Sequence, residues 1–336
     1  MTQKQDTAII LAIESSCDDT AAAVIKDSKI LANIVASQTL HGEYGGVIPE
    51  LAGRAHQQYI MPVVQQALEK ANVNLNEVSA IAYTRGPGLM GSLLVGSHFA
   101  KGMALALDIP TIGVHHLEAH VAAHYLQEEL PAFPFLCLLV SGGHTQILLV
   151  EDYLKMRIIG STRDDAAGEA FDKTAKMLGL PYPGGPLVDK LAEEGNPKAF
   201  EFPKSKMEAY DYSFSGLKTA LLYFLNKQKK DDPDFVEKHL RDICASMRYT
   251  IVETLIHQFE KAALDLGIKT VGIAGGVSAN RLLRKSFEEM AQKHQWRSMI
   301  PAFEYCTDNA AMIAIAGHYK YLNSEFGRLD DLPFAR

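Results

Sequence analysis

The sequence predicts an α/β protein of two duplicated lobes with a central cleft, and three observations carry that prediction. One order of apolar runs and breakers (three strands, helix, strand, helix, strand, helix) occurs twice along the chain. In each copy the first two strands are joined by a short polar turn, at Ser15 to Thr20 and at Ser141 to His144. At 336 residues, 47% hydrophobic and 22% charged, the chain has the length of about two domains and a composition that excludes disorder, collagen and coiled coil.

In the first copy, apolar runs between breakers predict strands at Ile9 to Glu14, Ala21 to Ile25 and Ile30 to Ser37, followed by a helix from Pro49 to Asn72. A strand Val78 to Thr84 leads through Gly86-Pro87-Gly88 into an apolar helix that ends at Leu107. A strand Thr111 to Val114 and a helix that Pro131 ends complete the copy. The second copy has strands Phe135 to Val140, Thr145 to Val150 and Met156 to Ser161, then a helix Asp164 to Leu178. A long helical insertion intervenes before strand Thr270 to Ala274, helix Asn280 to His294, strand Ser298 to Pro301 and a last helix from Asp308.

A three-strand meander followed by crossover helices makes a mixed sheet with helices on its faces. Two such lobes facing each other across a cleft are the architecture of the actin-like ATPase and sugar-kinase superfamily. The predicted division is an N-terminal lobe at 1–131 and a C-terminal lobe at 132–305 carrying the insertion at about 181–268. A C-terminal helix at 306–336 is expected to pack back on the N-terminal lobe. Ligands of open α/β sheets lie beyond the carboxyl ends of the strands, where the polar turns fall.

Charge and cysteines limit the partners. Lys plus Arg minus Asp plus Glu is 33 − 40, or −7, which gives no global positive field for nucleic acid. Lys204, Lys206, Lys218, Arg281 and Arg284 alone are thin for binding a nucleic acid. Cys17, Cys137, Cys244 and Cys306 form no CxxC pair and fit a reducing compartment. The apolar stretch after Ala8 meets Glu14 too soon for a signal peptide, and no window approaches the roughly 18 apolar residues of a membrane span. A cytoplasmic protein is expected, with no membrane partner.

Several segments carry chemistry. Ser141-Gly142-Gly143-His144 offers backbone N–H groups to an anion, although a Gly-rich hairpin turn has the same composition. Asp18 and Asp19 would repel phosphate and suit a metal, a water or an amine. Gly275-Gly276-Val277-Ser278-Ala279-Asn280 joins a buried strand to a helix that Ser278 or Asn280 can cap, and its glycines admit a flat nucleoside. On the helix at 164–178, Asp165, Glu169, Asp172 and Lys173 stand at spacings of three and four. Asp172 is placed to bond a hydroxyl or amine, with the loop Tyr182 to Pro186 and Asp189 closing over it.

His116, His120 and His124 recur at a spacing of four, which sets them on one helical face. Two imidazoles at i and i+4 can share one divalent metal. Asp308 is simplest as the cap of the last helix; folded back, its carboxylate is a third ligand, and spacing leaves both roles open. Gly86-Pro87-Gly88-Leu89-Met90-Gly91 matches GxGxxG, but the next strand ends in histidines rather than an acid, so close helix packing is the better reading. No GxxxxGK[ST] occurs, which removes the P-loop class.

ESSCDDT at 14–20, YGGVIPELAGRAH at 44–56, HHLEAH at 115–120, LLVSGGHTQ at 138–146, DDAAGEAFDKTAKMLGL at 164–180, YPGGP at 182–186, DYSFSGLKT at 211–219, AGGVSANRLLR at 274–284 and CTDNAAMIA at 306–314 together resemble one family. It is the TsaD family of tRNA N6-adenosine threonylcarbamoyltransferases, formerly called glycoproteases. The resemblance spans nearly the whole chain. It implies transfer of threonylcarbamoyl from threonylcarbamoyl-AMP to N6 of adenosine 37, in tRNAs that read codons starting with A, with release of AMP.

By position in those motifs, the resemblance gives His116, His120 and Asp308 as ligands of one divalent metal, usually iron and in some members zinc, and leaves His124 out. Leu139, Val140, Ser141, Gly142 and Gly143 take its substrate-phosphate loop; Asp172, Gly185, Asp189 and Asn280 take its other adenylate contacts. It implies tRNA and proteins like TsaB and TsaE as partners. The family often has Glu at Asp19 and Gly at Ala310; the shorter Asp19 draws its carboxylate back by about one carbon–carbon bond.

Adenine N6 is a weak nucleophile, because its lone pair is delocalised into the ring. The metal and the amides of Ser141 to Gly143 are therefore expected to bind the charged oxygens of the anhydride, with Asp18 a candidate base. Two rival functions follow from the sequence. One is an ATP-dependent regulatory module of the actin-like superfamily. The other is a metallopeptidase, disfavoured because Glu118 falls two residues after His116 and roughly opposite the ligand face.

Overall fold

The chain folds as two units. One is formed by the described residues up to Leu130 together with those from Thr307 onward, and the other by Pro131–Cys306. The computed structural model describes residues 7–205 and 207–335, so Lys206 lies outside the described residues.

In the first unit, β1 (Ile9–Glu14), β2 (Asp19–Lys26) and β3 (Lys29–Ser37) form an antiparallel meander. Helix α1 (Pro49–Ala71) starts on a proline, whose fixed φ suits the first helical position, and leads to β4 (Ala80–Gly86). Helix α2 (Met90–Leu107) leads to β5 (Thr111–His115). The sheet order is β3-β2-β1-β4-β5, with β1, β4 and β5 parallel. Central β1 and β4 are buried on both faces, which is why they read as apolar runs without alternation. Close packing does account for the Gly86-Pro87-Gly88 turn: a Cβ on Gly88 would stand 2.5 Å from the carbonyl oxygen of Ser16.

Helix α3 (His116–Ala122) is shorter than the sequence suggests. It tightens into a 3-10 turn at Ala123–Leu126 instead of running toward Pro131. No Gly or Pro marks this end. The whole stretch is buried apart from the side of Glu118, and tertiary packing, including Tyr125 edge-on to Tyr319, sets where the α-helix stops.

The second unit repeats the plan. β6 (Phe135–Val140), β7 (Thr145–Asp152) and β8 (Lys155–Ser161) form its meander, and α4 (Ala167–Met177) follows. The stretch 181–268 holds α5 (Gly184–Ala192), α6 (Ser215–Asp231) and α7 (Phe235–Leu266). Then come β9 (Thr270–Ala274), α8 (Arg281–His294) and β10 (Arg297–Met299). The order β10-β9-β6-β7-β8 reproduces that of the first sheet strand for strand, so the duplication read from element order is present.

Two predicted boundaries in this unit are corrected. Asp164 and Asp165 precede α4 rather than start it, because the Asp164 carboxylate is engaged by Ser213, Phe214 and Ser215. The predicted loop at 182–186 ends at Pro183, and Gly184 to Pro186 form the first turn of α5, because Asp172 accepts hydrogen bonds from its leading amides.

The last helix, α9 (Ala310–Leu322), returns to the first unit and lies across β1 and β2 and against α3. Its residues Ala310 to His318 are all buried, as expected for a helix apolar on every side. Among the described residues, no helix is long and apolar enough to cross a membrane, and all four cysteines are free thiols.

Candidate functional site

Three side chains from two distant segments meet in the first unit. β5 ends at His115, and α3 begins at once, placing His116 and His120 one turn apart on the same face. His116 Nε2 lies 3.5 Å, and His120 Nε2 3.2 Å, from Oδ1 of Asp308. The ligand atoms of all three lie within 4.8 Å of one another. Asp308 is not the cap of α9, as its position suggests: Asn309 Oδ1 accepts from the amide of Met312 at 3.1 Å, and Asn33 Oδ1 takes the amide of Ala311 at 3.2 Å. With the helix start satisfied by others, the Asp308 carboxylate is left for the imidazoles. His124 is buried on the 3-10 turn and is not part of this cluster.

The donor set fits a divalent metal ion. His120 is almost fully buried, and neither ring nitrogen makes a hydrogen bond. An unsatisfied buried polar group costs about 1–3 kcal/mol, so a partner is expected. Two imidazoles and a carboxylate are borderline ligands suited to iron or zinc, and separations of 3.2 and 3.5 Å suit ligands at about 2.0–2.2 Å from one ion. Burial pushes Asp308 up, but the His116 charge and the adjoining His120 outweigh it and hold the carboxyl down to about 2. Burial pushes His116 down; Asp308 and Glu14 outweigh that and raise it to about 9.

Three residues that the sequence reading passed over orient this set. Glu14, fully buried at the end of β1, places Oε2 3.3 Å from His116 Nδ1 and takes the Thr84 hydroxyl on the same oxygen. Ser16 Oγ lies 3.2 Å from the same ring nitrogen. A carboxylate on Nδ1 fixes the ring and leaves Nε2 facing Asp308. The available signal was an acid at the carboxyl end of a central strand, a position for ligands rather than for core.

Beside them, Asp19 starts β2, and burial pushes its carboxyl up to about 7. A hydrogen bond with Ser37 opposes that rise, while the charges of Asp308, Asp18 and Glu14 add to it.

The second unit brings together the other predicted set. Leu139 and Val140 are fully buried strand residues, so only their backbone can meet a ligand. The turn after them is held by Ser141 N to His144 O at 2.8 Å and by His144 N to Ser141 Oγ at 3.1 Å. A Cβ on Gly142 or Gly143 would meet nothing within 4 Å, which leaves that side of the turn open. Gly168 is different: a Cβ there would stand 2.5 Å from Ser141 O and 2.7 Å from Gly142 Cα, so α4 packs directly on the turn.

Asp172 on α4 accepts from Gly184 N at 2.9 Å and Gly185 N at 3.0 Å. Its pKa is raised by burial, against the pull of those two amides. Asp189 on α5 lies against the first residue of α8, with Arg281 N 3.4 Å from Oδ2. Asn280, rather than Ser278, caps α8 through Leu283 N at 3.0 Å. Of the cations considered for RNA, Lys204 is paired with Glu253. Arg284 is turned inward, bonding the carbonyls of Ser278 and Pro301.

Comparison with known proteins gives the family and the fold. The model of the TsaD family, described as tRNA N6-adenosine threonylcarbamoyltransferase, matches residues 29–315. A curated tRNA N6-adenosine threonylcarbamoyltransferase from Christiangramia forsetii is 61% identical over 320 residues, 94% of each chain. Among solved structures, full-length HypF in its phosphate- and nucleotide-bound form superposes with a TM-score of 0.64 at 15% identity. That match covers 95% of this chain, which spans about half of HypF, 47%. A ROK hexokinase from Thermus thermophilus superposes with a TM-score of 0.51 at 14% identity, covering 94% of this chain and 99% of that one. These two likenesses show the fold alone, two α/β units each built on a five-stranded sheet.

Proposed function

This chain belongs to the TsaD family, the tRNA N6-adenosine threonylcarbamoyltransferases, and from that premise we propose how its residues divide the reaction. The enzyme moves threonylcarbamoyl from its adenylate to N6 of adenosine 37 in tRNA and releases AMP. The second unit holds the adenylate. The amides of Ser141, Gly142 and Gly143 take its phosphate on the open side of their turn, at the end of the Leu139-Val140 strand backbone. Asp172, Gly185, Asp189 and Asn280 hold the nucleoside.

The first unit holds one divalent metal ion on His116, His120 and Asp308, iron by the habit of the family and zinc as the alternative. The observation that carries this reading is the buried His120 ring, without a hydrogen bond, 3.2 Å from Asp308. A metal bound there supplies a Lewis-acid charge for the oxygens of an acyl phosphate. Glu14 holds the His116 Nδ1 proton and so keeps Nε2 for the ion. Asp19 accepts the N6 proton as the new bond forms; a carboxyl near 7 is matched to that task, and Asp18 next to it is the alternative base.

Transfer to tRNA by a chain of net charge −7 calls for help with the phosphates. We assign that help to partners like TsaB and TsaE, in the cytoplasm where tRNA is. A metallopeptidase reading loses its base: Glu118 lies beside Lys320 and Glu325 and outside the ligand cluster.

The test is nucleoside mass spectrometry on unmodified tRNA incubated with this protein, both partners and threonylcarbamoyl-AMP. Threonylcarbamoyladenosine is expected with the native chain and not with Asp308→Ala. Undiminished product from Asp308→Ala removes the metal from the reaction.

A further inference from the structure

Asp189 is held by a residue that no motif contains. Arg248, buried on α7, sends Nη1 to Asp189 twice: to the carboxylate Oδ1 at 2.8 Å and to the backbone carbonyl at 3.0 Å. The same nitrogen bonds Glu193, and Nη2 bonds the carbonyl of Ala192 at 3.2 Å. The guanidinium therefore closes the last turn of α5, where exposed carbonyls favour a cation. It also fixes the Asp189 side chain relative to its own backbone. Asp189 Oδ2 faces Arg281 N, next to Asn280, so one planar group ties α5, α7 and the start of α8 together.

We propose that Arg248 is a positioning residue for the adenylate, acting through Asp189 to set the carboxylate that reads the ribose hydroxyls. The proposal rests on the assignment of Asp189 to the nucleoside. A carboxylate is the natural acceptor for vicinal ribose hydroxyls, and its selectivity depends on being held in one orientation. Arg suits this place better than Lys: Nη1 takes Asp189 and Glu193 while Nη2 reaches the Ala192 carbonyl, a span that an ammonium, a single point, does not cover. The fork also leaves Arg248 itself away from the ligand, since its bonds run to α5.

The experiment measures binding of AMP and of 2′,3′-dideoxy-AMP to the purified full chain by calorimetry. The native chain, Asp189→Asn, Arg248→Met and Arg248→Lys are compared, with thermal midpoint and metal content measured alongside. The native chain is expected to prefer AMP by at least tenfold. Arg248→Met should lose that preference while binding the dideoxy nucleotide as before, and Arg248→Lys should fall between. A merely structural Arg248 would change the midpoint, or both affinities together, and leave the ratio alone; a native ratio in Arg248→Met overturns the proposal. If the Met variant does not fold, Arg248→Leu, which cannot donate to Asp189, takes its place with the same two outcomes. A native ratio in Asp189→Asn shows instead that the nucleoside assignment is wrong, and the proposal falls with it.

Discussion

Glu14 Oε2 lies 3.3 Å from His116 Nδ1, and both groups are buried. Burial opposes the Glu14 charge, and His116 more than compensates, so the carboxyl stays below its ordinary range. The pair decides which nitrogen of His116 faces Asp308. Glu14→Gln keeps the shape and removes the charge, and should weaken metal binding by about 10–100-fold. Chelator competition measures this; native affinity in the variant would show that His116 needs no such partner.

His120→Ala and His124→Ala separate the metal site from the histidine run. The first should empty the proposed site, since His120 is one of the three side chains that could hold the ion. The second removes a buried ring outside the cluster and should leave metal content at native level, with some loss of thermal stability. Metal per chain by mass spectrometry reads both. Equal loss in the two variants would place His124 among the ligands.

Asp19 predicts a pH effect of unusual sign for a carboxylate. Its folded pKa, near 7, lies above the unfolded value of about 3.9. It therefore contributes stability that is fully present below pH 4 and lost as pH rises through 7. Asp19→Asn does not titrate. Relative to the native chain, it should gain on the order of 2 kcal/mol between pH 4 and pH 8, after discounting for partial exposure. Urea denaturation at the two pH values tests this, and a constant difference would mean that Asp19 ionises in the ordinary range. The transfer rate should likewise rise through pH 7, and Asp19→Asn should lose that limb.

Gly168→Ala should disturb the phosphate turn without touching a ligand. The new methyl would press on Ser141 O and Gly142 Cα, which are backbone atoms and cannot rotate away. Overpacking of this kind costs about 1–3 kcal/mol. AMP affinity should fall together with the thermal midpoint. If affinity holds while the midpoint falls, the turn is not where phosphate binds.

The duplication was legible because both sheets are built from apolar strands separated by glycine and polar turns, and their order is the same. Spacing set His116, His120 and His124 on one face, and only the motif resemblance left His124 out, as does the cluster with Asp308. The end of α3 was not legible, because packing rather than a breaker stops it at Ala122. Nor was the release of Asp308 from capping, which Asn309 shares with Asn33, a residue of β3 far away in sequence. Glu14 and Arg248 stayed hidden for the same reason: their partners, His116 and Asp189, come from other elements. Charge pairs made by folding leave no local pattern.

Helix α9 and Asp308 follow the entire second unit in the chain, yet they belong to the first. On the ribosome, the first sheet and both ligand histidines emerge early, with the surface that α9 covers still bare. The second unit can close while the first waits. Asp308 arrives on the same segment that buries that surface, so a nascent chain has only the two histidines of the candidate metal site. If the proposed metal binds there, its loading waits for the completion of synthesis, and a stalled chain that holds both histidines but lacks α9 should expose apolar sheet and bind the ion weakly.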